Sequence, residues 1–543
     1  MIGLRPVATP RTRTIRTAEI LQKTDFDSFA STERMRIHDL SRRQLLTGVA
    51  GLSSLLLTPP LFAADGGDGR RLFTLGVASG DPWPDGVVLW TRLAPDPING
   101  GGMAPEPVDV TWELASDERM QQVVRRGTAA AVPEFAHSLH VEIDGLEPGR
   151  DYWYRFRTRT EESVVGRTRT APAPGVLAER LRFALCCCQD YSHGYYTAHR
   201  DMANDDIDVV VFLGDYIYEG WPEAGWPRRH NDNDTQSLED FRNRHALYKT
   251  DPDLQANHAA HPFILTWDDH EVDNDYAGLR AGWDMDPQQF IERRTNAYRA
   301  YYEHMPLRRA SIPNGRDLRL YRNVRFGGLA EFTVLDTRQY RDLQACMVDR
   351  SPTCTEHLSL ARSIMGMEQE TWLFDQFKRS AGRWNFIAQQ VPLLKLSLPG
   401  QREPMDKWDG YPASRTRLIQ SLIDNKTSNP VVLSGDAHQA WAGELKVDFA
   451  KPESATIGSE FVCSSISSGS DGQRSQEARQ AALNGNPHLK YGNGKRGYMQ
   501  FELTPNVCRV DFRSPDYVGR PGAPVRTIKS FVMADGNPGL IQA

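Results

Sequence analysis

What most constrains this chain is where its apolar runs stop. Leu181–Cys188 runs into Gln189 and Asp190, and Ile207–Leu213 into Gly214 and Asp215. Pro262–Trp267 runs into Asp268, Asp269, His270 and Glu271. Phe332–Leu335 stops at Asp336, and Pro430–Ser434 at Gly435, Asp436, Ala437 and His438. Helical segments separate these runs, including one with Asp286 as its cap and Pro287 at its first position. Strands alternating with helices predict an α/β fold, whose ligands sit outside the carboxyl ends of the strands. Any one of these aspartates is explained by capping its own turn. All of them together are not, because carboxylates gathered at one sheet edge repel one another unless a counter-ion joins them. A multivalent cation resolves the conflict.

The rest of the composition narrows the class. Across 543 residues, 64 Lys and Arg face 70 Asp and Glu, and 40% of the chain is hydrophobic. That balance excludes a disordered chain, and its mild acidity argues against a protein that coats nucleic acid, so no nucleic-acid partner is required. No apolar run reaches the roughly 20 residues of a spanning helix, which leaves no transmembrane anchor in the mature protein. Residues 1–64 differ from the remainder: Arg42 and Arg43 precede the short apolar stretch Leu45–Leu57, followed by Pro59-Pro60 and Ala63-Ala64. A basic region, a short apolar core and a small-residue end describe a signal peptide. The paired arginines resemble a twin-arginine export signal, with the twin-arginine machinery as partner and a periplasmic or secreted, bacterial destination.

From about residue 70 to 172 the pattern is all-β. Gly86–Arg92, Val108–Leu114, His140–Ile143 and Tyr152–Arg157 alternate as half-buried strands do. The Gly145–Gly149 turn before the last of these resembles a fibronectin type III hairpin, so a small fibronectin/Ig-like β-sandwich is expected there. Ala171–Gly175 is a linker, residues 178–520 form the α/β domain, and 521–543 a C-terminal tail. Seven cysteines are too few for a disulfide scaffold. In an oxidising compartment Cys346 and Cys354 are placed to close a short loop. Cys186, Cys187 and Cys188 adjoin on one strand; period two puts Cys186 and Cys188 on one face and Cys187 on the other.

Gly214-Asp215-Tyr216-Ile217-Tyr218-Glu219, Asp268-Asp269-His270-Glu271 and Gly435-Asp436-Ala437-His438 look like the metal motifs of the metallophosphoesterase superfamily. Cys188-Gln189-Asp190, the Asp215/Tyr218 spacing and Trp267-Asp268-Asp269-His270-Glu271 are similar to the PhoD-type alkaline phosphatases. Gly76–Pro82 and Leu89–Arg92 resemble that family's N-terminal domain, so the likeness covers nearly all of the mature chain.

The resemblance implies a four-layer α/β/β/α sandwich with ferric iron and calcium at its edge. It also implies hydrolysis of phosphomonoesters and some phosphodiesters. Thiolate and phenolate suit ferric iron, and carboxylate suits calcium. The implied ligands are Cys188, Asp215, Tyr218, Asp269, Asp436 and His438, with Asp190, Asp268 and Asn274 as secondary candidates. Asp269 stands where the superfamily usually has a bridging asparagine. Clustered ions clamp a phosphate and lower the pKa of bound water. His270 resembles the histidine that contacts phosphate or protonates the leaving oxygen, and Arg415 offers a bidentate fork for the phosphate. Two alternatives stay open: a phosphodiesterase or phospholipase D-like variant of the same site, and a non-catalytic exported binding protein. His137, His140, His258 and His261 lack metal spacing and read as structural, and the Asn231–Asp234 run reads as a solvated loop.

Overall fold

The computed structural model describes residues 71–543, apart from 222–223, 232–233, 283–284, 348–352, 398–402 and 473–475. The expected export signal therefore lies outside the described residues, as do Asp232 and Asn233. The chain divides into a unit of residues 1–63 and a unit of residues 64–543; only the second is treated below.

Its described residues form three sheets. At the centre of the longest, Leu181–Cys186, Val209–Phe212, Pro262–Leu265 and Val77–Trp83 run parallel. The second sheet has a parallel core of Ala330–Val334, Trp384–Ala388, Pro430–Ser434 and Thr456–Val462. Apart from Trp83, Arg182 and the first two residues of Thr456–Val462, these strands are buried along their length, as parallel strands covered on both faces must be. Phe183, Leu185, Val209 and Val211 of the first sheet share one core with Phe332, Phe386, Val431 and Phe461 of the second. On the other face of the first sheet, Ala184, Val210, Phe212 and Phe263 pack against Met202, Phe241, Leu254 and Tyr298. Those residues come from helices Thr197–Ala203, Leu238–Lys249, Pro252–Ala260 and Pro287–His304. The second sheet's outer face, with Ile387 and Val432, is covered by Leu373, Leu418 and Ala482 of helices Gly366–Arg379, Pro412–Asp424 and Gln476–Gly485. The Asp286 cap accepts from the backbone N–H groups of Gln288 and Gln289, as the sequence suggests.

The ends of the unit depart from expectation. The N-terminal region is not a self-contained sandwich. Val77–Trp83 pairs in parallel with Pro262–Leu265, Ser79 opposite Pro262, and brings Gly86–Arg92 and Ser138–Ile143 with it into the long sheet. Only Val123–Ala131, Val108–Ala115, Asp151–Arg157 and Gly166–Arg169 form a separate sheet. Val87, Leu89 and Val141 pack against Val110, Leu114 and Tyr154 across the gap, so one face of the sandwich is borrowed from the α/β sheet. Period-two patterning marks each strand but carries no information about its pairing partner.

Residues 521–543 are not a tail. Val525–Ala534 and Asn537–Gln542 are the last two strands of the long sheet, and Phe531 and Met533 enter the inter-sheet core. Phe531 is 3% exposed. Phe531→Ala is expected to destabilise the fold by about 3 kcal/mol, read as a lower denaturant midpoint; an unchanged midpoint would show the segment to be dispensable.

Candidate metal centre

The strand ends converge as the sequence requires, through a strained backbone. Cys188, Asp215, Asp436 and His438 all have left-handed backbones, with φ of 57°, 53°, 60° and 52°. Non-glycine residues rarely adopt this conformation, and it concentrates at functional sites. Gly214, φ 106°, is needed for a different reason: a Cβ there would lie 2.2 Å from the backbone nitrogen of Asp268. The loops after Cys186 and Phe212 are stitched together by Cys188 N–H donating to Gly214 O and Gln189 N–H to Asp215 O, both at 3.0 Å.

Turning the backbone at Cys188 breaks the alternation expected for the three cysteines. Cys186 packs with the helices, whereas Cys187 and Cys188 both lie in the inter-sheet core. The expectation that Cys186 shares a face with Cys188 is corrected, because period two holds only while the chain stays extended. Cys346 and Cys354 are joined in a disulfide, with Cα atoms 6.0 Å apart.

Three overlapping groups of ligand atoms result, each within 4.8 Å: Cys188, Asp215 and His438; Asp215, Asp269 and His270; and Asp268, Asp269 and Asp436. Asp215 belongs to two of them. Its Oδ2 accepts from the Tyr218 hydroxyl at 2.8 Å, but its buried Oδ1 has no hydrogen-bond partner. An orphaned buried carboxylate oxygen between a thiol, an imidazole and further carboxylates fits a cation. The Tyr218 hydroxyl also lies 3.0 Å from His438 Nε2. Burial lowers the pKa of His438, which favours the neutral imidazole that binds metal. Burial, Cys187 and the charges of Asp215 and Asp268 push the Cys188 thiol up, so a thiolate there depends on an adjacent cation.

His270 lines the cavity. Its Nδ1 is 2.7 Å from Glu219 Oε2, and its ring stacks on Tyr218 at 4.1 Å. Burial opposes protonation of His270, but Glu219, Asp215 and Asp269 outweigh it and hold its pKa well above the usual value.

Three buried residues complete the site without having been singled out as functional from the sequence. Glu219 orients His270 and accepts from Asn274 N–H at 2.9 Å. Glu271 accepts from the backbone N–H groups of Asp215 at 3.1 Å and Asp268 at 2.8 Å, and from Tyr216, tying two strand ends together. Arg338, fully buried, meets Asp268, Asp406 at 2.9 Å, Asp436 at 3.1 Å and Asp269 at 3.5 Å. The available signals were weak. Glu271 adjoins the Asp268–His270 motif, and Arg338 follows a strand-end aspartate by two residues.

The cavity in front of the cluster has a volume of about 790 Å³ and includes Asp215, Asp269, Asp436, His438, Asn274 and Lys407 in its wall. Two candidates are used elsewhere. Asp190 accepts from Ser192 N–H and Oγ at 2.8 and 2.7 Å and faces His193 and His230. Arg415 does not line the cavity: its guanidinium donates to Asp409 at 2.5 Å and to Leu393 O at 3.2 Å. The expected phosphate fork is thus committed to a buried carboxylate six residues back on the chain. His137, His140, His258 and His261 make structural hydrogen bonds to Glu106 O, Tyr302 O, Tyr216 Oη and Met202 O.

The model of the PhoD-like phosphatases matches residues 183–512, and that of their N-terminal domain residues 62–172. The chain belongs to the PhoD-like phosphatase family. It is 48% identical over 476 residues to alkaline phosphatase D of Bacillus subtilis (strain 168), covering 86% of this chain and 82% of that protein. A solved structure described as that of PhoD superposes with a TM-score of 0.85 at 46% identity, covering 88% of this chain and 93% of that one. As a PhoD-like phosphatase the chain is an enzyme, a phosphoric ester hydrolase, and the cluster occupies the strand-end edge where the family motifs were read.

Two substitutions test this geometry. Glu271→Gln, which leaves one backbone N–H facing a donor amide, should lower phosphatase activity about 10–100-fold in steady-state assays. Arg415→Ala should leave KM for p-nitrophenyl phosphate within about twofold while costing about 2 kcal/mol of stability, because it strands Asp409. A large rise in KM without loss of stability would return Arg415 to the phosphate site.

Proposed function

We propose that this PhoD-like phosphatase is an exported, metal-dependent enzyme hydrolysing phosphomonoesters, with ferric iron and calcium as its ions. The observation that carries the reading is Asp215, buried, shared by two ligand groups and left with an orphaned oxygen. Cys188, Tyr218, Asp215 and His438 would hold iron, since thiolate, phenolate and imidazole are its preferred donors here. Asp269 and Asp436, with Asp268 and Asn274 beside them, would hold calcium through oxygen. Such ions, when bound, neutralise phosphate charge and lower the pKa of water.

The chain's own residues supply the rest. His270, whose Nδ1 is held by Glu219, presents Nε2 for a hydrogen bond to the phosphate or to the leaving oxygen. Lys407, in the cavity wall and paired with Asp436, adds positive charge where an anionic substrate enters. Arg338 stays beneath the cluster and fixes the carboxylates rather than meeting substrate, since its guanidinium is fully enclosed by them. The helix–sheet–sheet–helix layering reads as the four-layer sandwich of metallophosphoesterases. Export by the twin-arginine route suits a site assembled from residues 188 to 438, because such a site exists only after folding. Among the described residues no helix is long and apolar enough to cross a membrane.

Chelation should abolish turnover of p-nitrophenyl phosphate, and undiminished activity in demetallated enzyme would overturn the reading. Bis-p-nitrophenyl phosphate, assayed beside it, should be the poorer substrate. The reverse order would favour a phosphodiesterase, and no turnover of either a binding protein. Cys188→Ala should remove iron by elemental analysis, while Cys187→Ala should keep it and cost about 1–2 kcal/mol. Arg42→Lys with Arg43→Lys should strand the precursor inside the cell; a processed, exported product would refute the route.

A further inference from the structure

A second cleft opens at the same carboxyl edge of the long sheet and shares no lining residue with the catalytic cavity. Its volume is about 330 Å³. Trp83, the last residue of Val77–Trp83, forms part of its wall, and Arg322 reaches it while donating to Leu265 O at 3.0 Å.

Three arginines line this cleft: Arg308, Arg319 and Arg322. Arg322 is neutralised, gripping Asp81 Oδ1 through Nε at 2.9 Å and Nη2 at 2.6 Å. The other two are held by aromatic rings. Arg308 lies 3.6 Å from the centroid of Trp83, and Arg319 4.4 Å from that of Tyr321, whose ring contacts Trp372 at 4.9 Å. A ring fixes a guanidinium plane without consuming its N–H groups; of those of Arg308, Nη2 is engaged, donating to Asp81 O at 2.8 Å and Gly86 O at 3.4 Å. Arg308 is 4% exposed, and its Nε and Nη1 are buried without a hydrogen-bond partner. The nearest acid to Nη1 is Glu142 at 3.8 Å, and Glu142 already accepts from the Arg309 N–H. Glu368 accepts from the Tyr321 hydroxyl at 3.3 Å. Arg319 has no acidic partner among the described residues and is exposed. Buried donors left unmet beside a free cation call for an acceptor that carries negative charge.

We propose that this cleft is a second, non-catalytic oxyanion site that takes a phosphate group. The group comes either from free inorganic phosphate or from a neighbouring phosphoryl of an extended polyanion. Arg308 supplies the enclosed donors and Arg319 the solvent-side charge. The donor geometry stands independently of the metal assignment, and binding can be read without turnover.

The test uses metal-loaded enzyme. Equilibrium dialysis with radiolabelled phosphate should reveal two sites per chain. Inhibition of p-nitrophenyl phosphate hydrolysis reports the catalytic one separately. If the ligand is free phosphate, Arg319→Ala weakens the second site about fivefold and leaves the inhibition constant of phosphate unchanged. If it is a polyanion, Arg319→Ala instead weakens inhibition by long linear polyphosphate by a similar factor. Arg308→Lys, which keeps the charge but removes the fork, should reproduce whichever loss is seen. A single phosphate site in the wild type, with polyphosphate inhibition the same in both proteins, overturns the proposal, as does a second site that Arg319→Ala leaves intact.

Discussion

Everything at the functional edge depends on holding like charges together where they are largely buried. Asp215, Asp268, Asp269 and Asp436 are all buried or nearly so, and their ligand atoms interlock. Such an arrangement is unfavourable by itself. The protein manages it with ties of two kinds, one accepting and one donating. Glu271 fixes the backbone of two strand ends from below, and Arg338 threads between four carboxylates. Asp215 Oδ1, buried and without a hydrogen-bond partner, marks where the charge remains unsatisfied. The left-handed backbones at Cys188, Asp215, Asp436 and His438 follow from the same demand, since an extended chain would carry these side chains past one another.

The site was legible in sequence to the extent that polarity changes abruptly where a buried strand ends. Buried parallel strands need an uninterrupted apolar run, so the first polar residues after it are exposed to interpretation. Cys188, Asp215, Asp269, Asp436 and His438 stood at such points, and the structure gathers them. The partners that make the cluster tolerable were not legible in the same way. Arg338 lies just past the strand Ala330–Val334, and the first polar residue after that strand, Asp336, merely caps its turn through Arg338 and Gln339 N–H groups. The structure commits Arg415 away from the cavity, for the converse reason. A bidentate fork near aromatic residues is attractive on paper, but nothing in a linear chain shows that Asp409 already occupies it.

The fold divides along similar lines. Strand identity came through clearly, because alternation and apolar runs are local. Pairing did not: Val77–Trp83 reads as the start of a small β-domain, yet its parallel neighbour is Pro262–Leu265. The C-terminal strands were missed because Val525–Ala534 is amphipathic and its partner, Val507–Pro515, gives no local sign that the sheet continues.

That shared sheet has a consequence for how the molecule is made. The strand that opens the unit cannot complete its parallel pairing until more than 180 further residues have left the ribosome, since Ser79 faces Pro262. Val525–Ala534 and Asn537–Gln542 follow the strand they extend, Val507–Pro515, only after the rest of the long sheet has been synthesised. Pairings so distant along the chain are slow to form, and they leave sheet edges open in the interim. The N-terminal region therefore does not close its sheets on itself, and residues 71–172 alone would leave Val77–Trp83 as a bare edge.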